Sequence, residues 1–346
     1  MNTSFVLYGA TGYTGRLLLK EALKQGLHPI IAGRNKGKLA ELAHEFQVDY
    51  RVASLDDPLS LDMLLSGQSL VLHAAGPFEI TARPMWEACI RNKVHYLDIT
   101  GEITVFEQAK ALHQQAHHVG IMLMPGVGFD VVPTDCVAAL LKKEMPDAVE
   151  LELAFVGLGG GLSHGTATTM VRHLGEGGLV RRNGKIIPSP IGAFHRVLPF
   201  QHKRFHVGSI PWGDISTAFH TTGIPTITTY TGIKQSALRV LKAQALFNPI
   251  LRWGWVKRIL QRKIDRSISG PTYEQLQKGR TWIWGAVRNA AGDYKDMQVQ
   301  VGNGYRVTAE AGIHITKRVL QGDVQPGYQT PAGCYGPDLL KFLVMA

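Results

Sequence analysis

Val6-Leu7-Tyr8-Gly9-Ala10-Thr11-Gly12-Tyr13-Thr14-Gly15, running on into Leu17-Leu18-Leu19, sets an apolar strand against a glycine-punctuated turn and then an apolar helix. In that order the three pieces open a βαβ unit, where glycines permit a tight turn and let the backbone approach a pyrophosphate. The N–H groups and positive dipole end of the new helix then face the phosphate charge. A glycine turn used only for packing is the blander reading, and its place directly behind the first strand argues against it. Gly9, Thr11, Gly12, Tyr13, Thr14 and Gly15 are therefore candidate dinucleotide contacts.

Working outward, short apolar runs alternate with helical patterns through the first 125 residues, which predicts a parallel sheet wound by crossover helices. Six strands are expected, at Phe5–Tyr8, Pro29–Ala32, Tyr50–Ala53, Leu70–Ala74, His95–Ile99 and Ile121–Met124, with helices over 15–25, 36–46, 59–66, 80–92 and 102–118. That is the strand complement of a doubly wound dinucleotide fold. From about residue 130 the pattern changes to Gly-rich stretches, Pro-punctuated runs and Thr-rich alternation, as in Ile224–Thr231, which predicts an α+β domain with a mainly antiparallel sheet. The segment 298–316 reads as its closing hairpin, and Gly336-Pro337-Asp338 as the start of a short terminal helix. The expected organisation is a Rossmann-type domain over 1–129, an α+β domain over 130–320 and a C-terminal segment over 321–346.

At the end of the second strand stands Ala32-Gly33-Arg34-Asn35-Lys36, with Lys38 beyond, where an NAD-selective site places a carboxylate for the ribose 2′-hydroxyl. No acid is present there. A guanidinium grips a 2′-phosphate through its planar fork, so Arg34, with Asn35 and Lys38, favours NADP(H); a solvated basic turn is the alternative. After the fourth strand, Ala75, Gly76 and Pro77 are small residues where the nicotinamide half would cross the sheet. Gly76–Phe78 and Asp98–Glu102 should border the reaction site, because ligands of this fold bind beyond the carboxyl ends of the strands.

The quoted turn, Ala32-Gly33-Arg34, Ala75-Gly76-Pro77-Phe78, the segment Tyr96–Glu102 and the segment Gly128–Asp135 together resemble the saccharopine dehydrogenase-like oxidoreductases, a group that includes trans-acting enoyl reductases. The likeness covers 1–140 and a Gly/Ser-rich segment over 161–169, and is thin from 180 to 320. It implies a Rossmann domain with an inserted α/β domain, a chain end returning to the first domain, and in many members a homodimer. It does not name the reaction, and no site for a substrate with several carboxylates stands out.

Hydride transfer needs positioning, exclusion of water and a donor for the atom that gains charge. Glu102, Asp130 and His164 are the candidate acids. Against each stands a structural role: Glu102 in a first helical turn, Asp130 in a cap before the helix near Pro133, and His164 on an ordinary surface loop. Asp135 reads as a first-turn residue of that helix and Cys136 as buried packing. Tyr230 and Lys234 have a Tyr-x-x-x-Lys spacing, but Thr226–Tyr230 reads as a strand, which makes the spacing coincidental.

Net charge is +10, and residues 234–266 hold nine Lys or Arg against the single acid Asp265. Ile250, Trp253, Val256, Leu260 and Ile264 fall on one helical face there, with Arg252, Arg258, Arg262 and Arg266 on the other, as in an interfacial helix. An anionic membrane surface or an acyl carrier would suit it; the rival is a surface helix that packs Trp253 and Trp255 into the core. No nucleic-acid motif accompanies the charge. Cys89, Cys136 and Cys334 are far apart, so neither a disulfide framework nor a thiolate metal site is expected. No long apolar span or signal-peptide pattern occurs, which places the chain in the cytoplasm or peripherally on a membrane. Two functions follow: an NADP(H)-dependent oxidoreductase that reduces a C=C or C=O bond of a hydrophobic, lipid-derived small molecule, or a non-catalytic NADP(H)-binding scaffold or sensor at a membrane surface.

Overall fold

β1 (Ser4–Tyr8) is buried over its last four residues, which suits a central parallel strand covered on both faces. The computed structural model describes residues 4–159, 161, 163–200, 203–235, 248, 251–267 and 270–344. In chain order the first region runs β1, α1 (Tyr13–Lys24), β2 (His28–Gly33), α2 (Lys36–Phe46), β3 (Tyr50–Val52), α3 (Pro58–Leu65), β4 (Leu70–His73), α4 (Phe78–Asn92), β5 (His95–Asp98), α5 (Ile103–Ala111), α6 (His113–Val119) and β6 (Met122–Met124). Apolar side chains at helical spacing face the sheet, as with Leu18, Leu19 and Ala22 on α1 and Ala82, Met85, Trp86 and Cys89 on α4. Asp57 caps α3 by accepting from the N–H groups of Leu59 and Ser60, with Pro58 at the first helical position. The single helix expected over 102–118 is two, because Leu112 leaves helical geometry and its N–H takes a tight bond to the Ala109 carbonyl.

The second region contains α7 (Val132–Glu144), β7 (Ala148–Leu158), α8 (His164–Arg172), β8 (Gly178–Arg182), β9 (Lys185–Ser189), β10 (His195–Phe200), β11 (Lys203–Ser209), α9 (Asp214–Thr222), β12 (Thr226–Gly232), a helix over Gly254–Ser267, a short helix over Tyr273–Lys278, β13 (Arg280–Asn289) and β14 (Tyr294–Gly302). A helix over Gly304–Leu320 and β15 (Gly327–Tyr328) follow. Contacts divide the chain into one unit of residues 1–132 and 305–334 and another of 133–304 and 335–346.

The first sheet is parallel throughout, in the order β15-β6-β5-β4-β1-β2-β3. Its seventh strand, β15, extends the six read from the N-terminal part. The point where strand order reverses lies between β1 and β4, and their carboxyl ends carry Gly9 and Ala74. Among the described residues no helix is long and apolar enough to cross a membrane.

The second sheet has eight strands, in the order β10-β11-β12-β7-β13-β14, with β8 and β9 joined at β12. It is antiparallel except that β12 runs parallel to β7, in keeping with the mainly antiparallel sheet expected of this region. Trp282, Trp284, Tyr230 and Phe200 pack on one face. On the other, Gly285 lets Val137 and Leu141 of α7 close on the sheet, since a Cβ there would lie 2.5 Å from Val137 Cγ1.

The closing hairpin expected over 298–316 is also corrected. β13 and β14 form the hairpin, and from Gly304 the chain is helical. Val307, Ala311, Ile315 and Val319 are buried at a spacing of four, a helical stripe that a short alternating stretch concealed. The terminal helix is a single 3₁₀ turn over Pro337–Leu340.

Candidate dinucleotide and active site

Gly9 ends β1 with a φ of +89°, and its N–H donates to the Ala32 carbonyl at the end of β2. A side chain there would meet the backbone of Ala75 at 2.7 Å, so glycine is required by conformation and by the closeness of the loop after β4. Gly15 is required by proximity alone, as a Cβ would stand 2.2 Å from the Gly9 carbonyl oxygen. Gly12 is exposed and is the N-cap of α1, with no side chain capping the helix. A helix start with no capping side chain suits an anionic pyrophosphate. Thr11 and Thr14 flank it, half-buried, and Tyr13 packs edge-on against Tyr305 at 5.3 Å between centroids. Burial, with Tyr305 second, raises the Tyr13 phenol to about 12.

β2 ends at Gly33, and Arg34, Asn35, Lys36 and Lys38 are exposed beyond it. Asn35 also supports the backbone here, since its Oδ1 accepts from the Lys38 N–H at 3.0 Å and caps α2. Arg34 makes no ion pair among the described residues, which leaves its guanidinium available for a 2′-phosphate. Its charge is felt at Tyr8, whose phenol burial raises to about 12 and Arg34 pulls back; that hydroxyl donates to the Ala53 carbonyl at 3.0 Å. Uncapped helix start, crowded glycine turn and free guanidinium together fit NADP(H).

The loop after β4 is held from beneath by His73. Its ring is fully buried among Tyr8, Phe78 and Tyr96, and Nε2 lies 3.0 Å from the Ala75 carbonyl oxygen. Burial lowers its pKa to about 4 against the opposing pull of that carbonyl, so the ring is neutral and Nε2 carries the proton it donates. Ala75 is half-buried, Gly76 exposed, and the Gly76–Pro77 peptide cis. His73 is not among the candidates from sequence, although it directly precedes the small-residue run.

Three carboxyl groups gather beyond β5 and β6. Asp98 orders the turn: Oδ1 accepts from the N–H groups of Thr100 and Gly126, each at 2.9 Å, and Oδ2 accepts from the Tyr96 hydroxyl at 2.7 Å. Burial still raises its pKa to about 7 against those bonds. Glu102 caps α4 from another segment, with Oε1 accepting from the Phe78 N–H at 3.0 Å and Oε2 from the Glu79 N–H at 2.9 Å. Two backbone donors and the dipole of α4 hold its carboxyl group in place.

Asp130 differs from both. It lies against Gly101, where a Cβ would stand 2.7 Å from its Oδ2, and it makes no hydrogen bond to any described residue. Burial, reinforced by the Glu102 charge, raises its pKa to about 7. The Phe129 N–H beside it donates to Thr308 Oγ1 at 3.0 Å. Thr308 comes from the Gly304–Leu320 helix, and no local signal in the sequence ties it to this loop.

His164 belongs to the other unit. Instead of the expected loop it opens α8, behind the cap residue Ser163, and its Nε2 lies 2.8 Å from Asp265 Oδ1 on the surface. Glu102 and Asp130 thus come together while His164 has a partner elsewhere. Tyr230 lies in β12 and donates to Glu152 Oε1 at 2.6 Å, and Cys136 is buried in α7.

Residues 5–124 match the model of the saccharopine dehydrogenase NADP binding domain. A saccharopine dehydrogenase-like oxidoreductase of Mus musculus is 25% identical over 202 residues, 51% of this chain and 47% of that protein. A trans-acting enoyl reductase of Mycobacterium leprae is 32% identical over 138 residues, 38% of this chain and 33% of that protein. These alignments span between a third and a half of the relatives' length. The apo saccharopine dehydrogenase (L-Glu forming) of Saccharomyces cerevisiae shares the fold, with a TM-score of 0.67 over 99% of this chain and 98% of that one at 13% identity. The turn, the basic edge and the strand order agree with these likenesses, and residues 5–124 are an NADP(H)-binding domain of the saccharopine dehydrogenase type.

Proposed function

We propose that this protein reduces a C=C or C=O bond of a hydrophobic, lipid-derived substrate at the expense of NADPH, with Asp130 as the proton donor. The observation that carries the reading is the state of Asp130: an acid with a pKa of about 7, no hydrogen bond to a described residue, and a place at the carboxyl edge of the sheet. The likeness to a trans-acting enoyl reductase supports a C=C substrate.

When bound here, NADPH supplies the hydride. Gly9, Gly12 and Gly15 shape the turn for its pyrophosphate, Arg34 with Lys38 takes the 2′-phosphate, and Ala75, Gly76 and Pro77 leave room for the nicotinamide half. Asp130 holds a proton near neutral pH and passes it to the substrate atom that gains charge. Being part-exposed, it takes a replacement from water. Glu102 fixes the start of α4 and keeps negative charge beside Asp130, which favours the protonated acid.

The test is NADPH oxidation with long-chain enoyl and keto thioesters, comparing the wild type with Asp130→Asn. The expected loss in kcat is about 10²-fold or more with NADPH affinity unchanged. Because the acid must be protonated to donate, the wild-type rate should hold below pH 7 and fall above it. An unchanged kcat in the variant would remove Asp130 from the chemistry. NADPH binding with no turnover of either substrate class would favour a non-catalytic scaffold or sensor.

A further inference from the structure

We propose that the Gly254–Ser267 helix is an interfacial element that seats its outward face on an anionic lipid surface. The face turned toward the protein is accounted for. Ile264 is buried and Val256 and Leu260 are half-buried. Gln261 Nε2 donates to Thr168 Oγ1 at 2.9 Å, Lys257 Nζ bonds the Arg172 carbonyl, and Asp265 takes His164. Arg252 Nε donates to the Gly175 carbonyl at 2.8 Å just ahead of the helix.

The opposite face has a different character. Trp253, Trp255 and Ile259 are 54%, 52% and 55% exposed, and the two indoles lie 6.1 Å apart. Beyond them Arg258, Arg262, Lys263 and Arg266 are exposed and make no ion pair among the described residues, since Asp265 is already engaged. Ile259, Arg262, Lys263, Arg266 and Ser267 line an open depression of about 360 Å³. Burying Trp253 and Trp255 in the core, the rival account of this stretch, does not occur. Ile250, Arg239 and Lys242 lie outside the described residues.

Large apolar side chains left in water cost free energy that the cations do not recover, whereas a bilayer boundary rewards both together. The indoles and Ile259 reach the acyl boundary while Arg and Lys bury their stems and place charge among lipid phosphates. An acidic carrier protein would pair the cations but gives the indole pair no specific place, so it is the lesser fit. His164 thereby acquires a positioning role, pinning this helix through Asp265. The proposal stands independently of the reductase reading.

The experiment is flotation of the full chain with phosphatidylcholine vesicles containing or lacking phosphatidylserine, at low and high salt, together with tryptophan emission. Binding is expected only with the anionic lipid, weakened by salt and accompanied by a blue shift. Arg262→Gln with Lys263→Gln and Arg266→Gln should weaken it by roughly a hundredfold, at about fivefold per cation. Trp253→Ser with Trp255→Ser should abolish the blue shift. Unchanged circular dichroism and thermal unfolding show that both variants are folded, since their positions lie outside the cofactor domain and NADPH binding does not report on them. No flotation with anionic vesicles at low salt, affinity unchanged in both variants, or binding to an acidic carrier protein without vesicle binding would overturn the proposal.

Discussion

At the carboxyl edge of the parallel sheet, polar side chains are spent largely on the backbone: Asp98 on two N–H groups, Glu102 on two more, Asn35 on one and His73 on a carbonyl. On the outward face of the Gly254–Ser267 helix four cations make no ion pair with a described residue. The first region has the main-chain shape to hold a ligand, and the exceptions to its economy, Asp130 and Arg34, are where we propose that chemistry and specificity reside. The second has almost no shape of its own and offers charge and apolar area, which suits a surface more than a small molecule.

Breaking the first region should leave the second intact. Gly15→Ala forces a methyl to 2.2 Å from the Gly9 carbonyl oxygen. The cost is on the order of 3 kcal/mol, or about a hundredfold in NADPH affinity, with vesicle flotation unchanged. Loss of both together would mean that the two regions are not independent, and calorimetric titration beside flotation decides it.

His73 sharpens the contrast through pH. Its folded pKa is lowered to about 4 by burial, so the stability it contributes is full above the unfolded value of about 6.5 and is lost as pH falls through the folded one. Across that window the loss is at most roughly 3 kcal/mol. Denaturant unfolding of His73→Phe should show a flatter pH dependence between 7 and 4 than the wild type, and identical slopes would remove the histidine from the account.

Arg34→Ala is the mildest change, since it removes a side chain and leaves the turn alone. NADPH should bind about tenfold more weakly and NADH almost unchanged, the scale of one charge-assisted contact. Equal losses for both cofactors would show that Arg34 supports the turn and does not read the 2′-phosphate.

Much of the cofactor region is legible in the sequence because its requirements are local. A glycine with positive φ, a strand end without an acid and a run of small residues each leave a mark within a few positions of the chain. The roles of the carboxyl groups are not, because Glu102 meets Phe78 and Glu79 across 23 or 24 residues and Asp98 meets Gly126 across 28. Thr308 reaches the Asp130 loop across 179 residues. The helix over Gly304–Leu320 reads as a strand in sequence because a few alternating residues at its start satisfy either period. In the basic stretch, spacing groups Val256, Leu260 and Ile264 correctly, while Trp253, which it sets beside them, proves exposed.

By itself, then, the sequence determined the parallel α/β character of the first domain, the glycine turn and the basic edge proposed to hold NADP(H), because strand burial, backbone conformation and local charge are written in neighbouring residues. Only the tertiary structure decided which acid remains uncommitted, that His73 supports the loop after β4, and which face of the basic helix is left outward. Those outcomes depend on which donors and apolar surfaces distant segments bring to each side chain, and pairwise spacing along the chain carries no record of that.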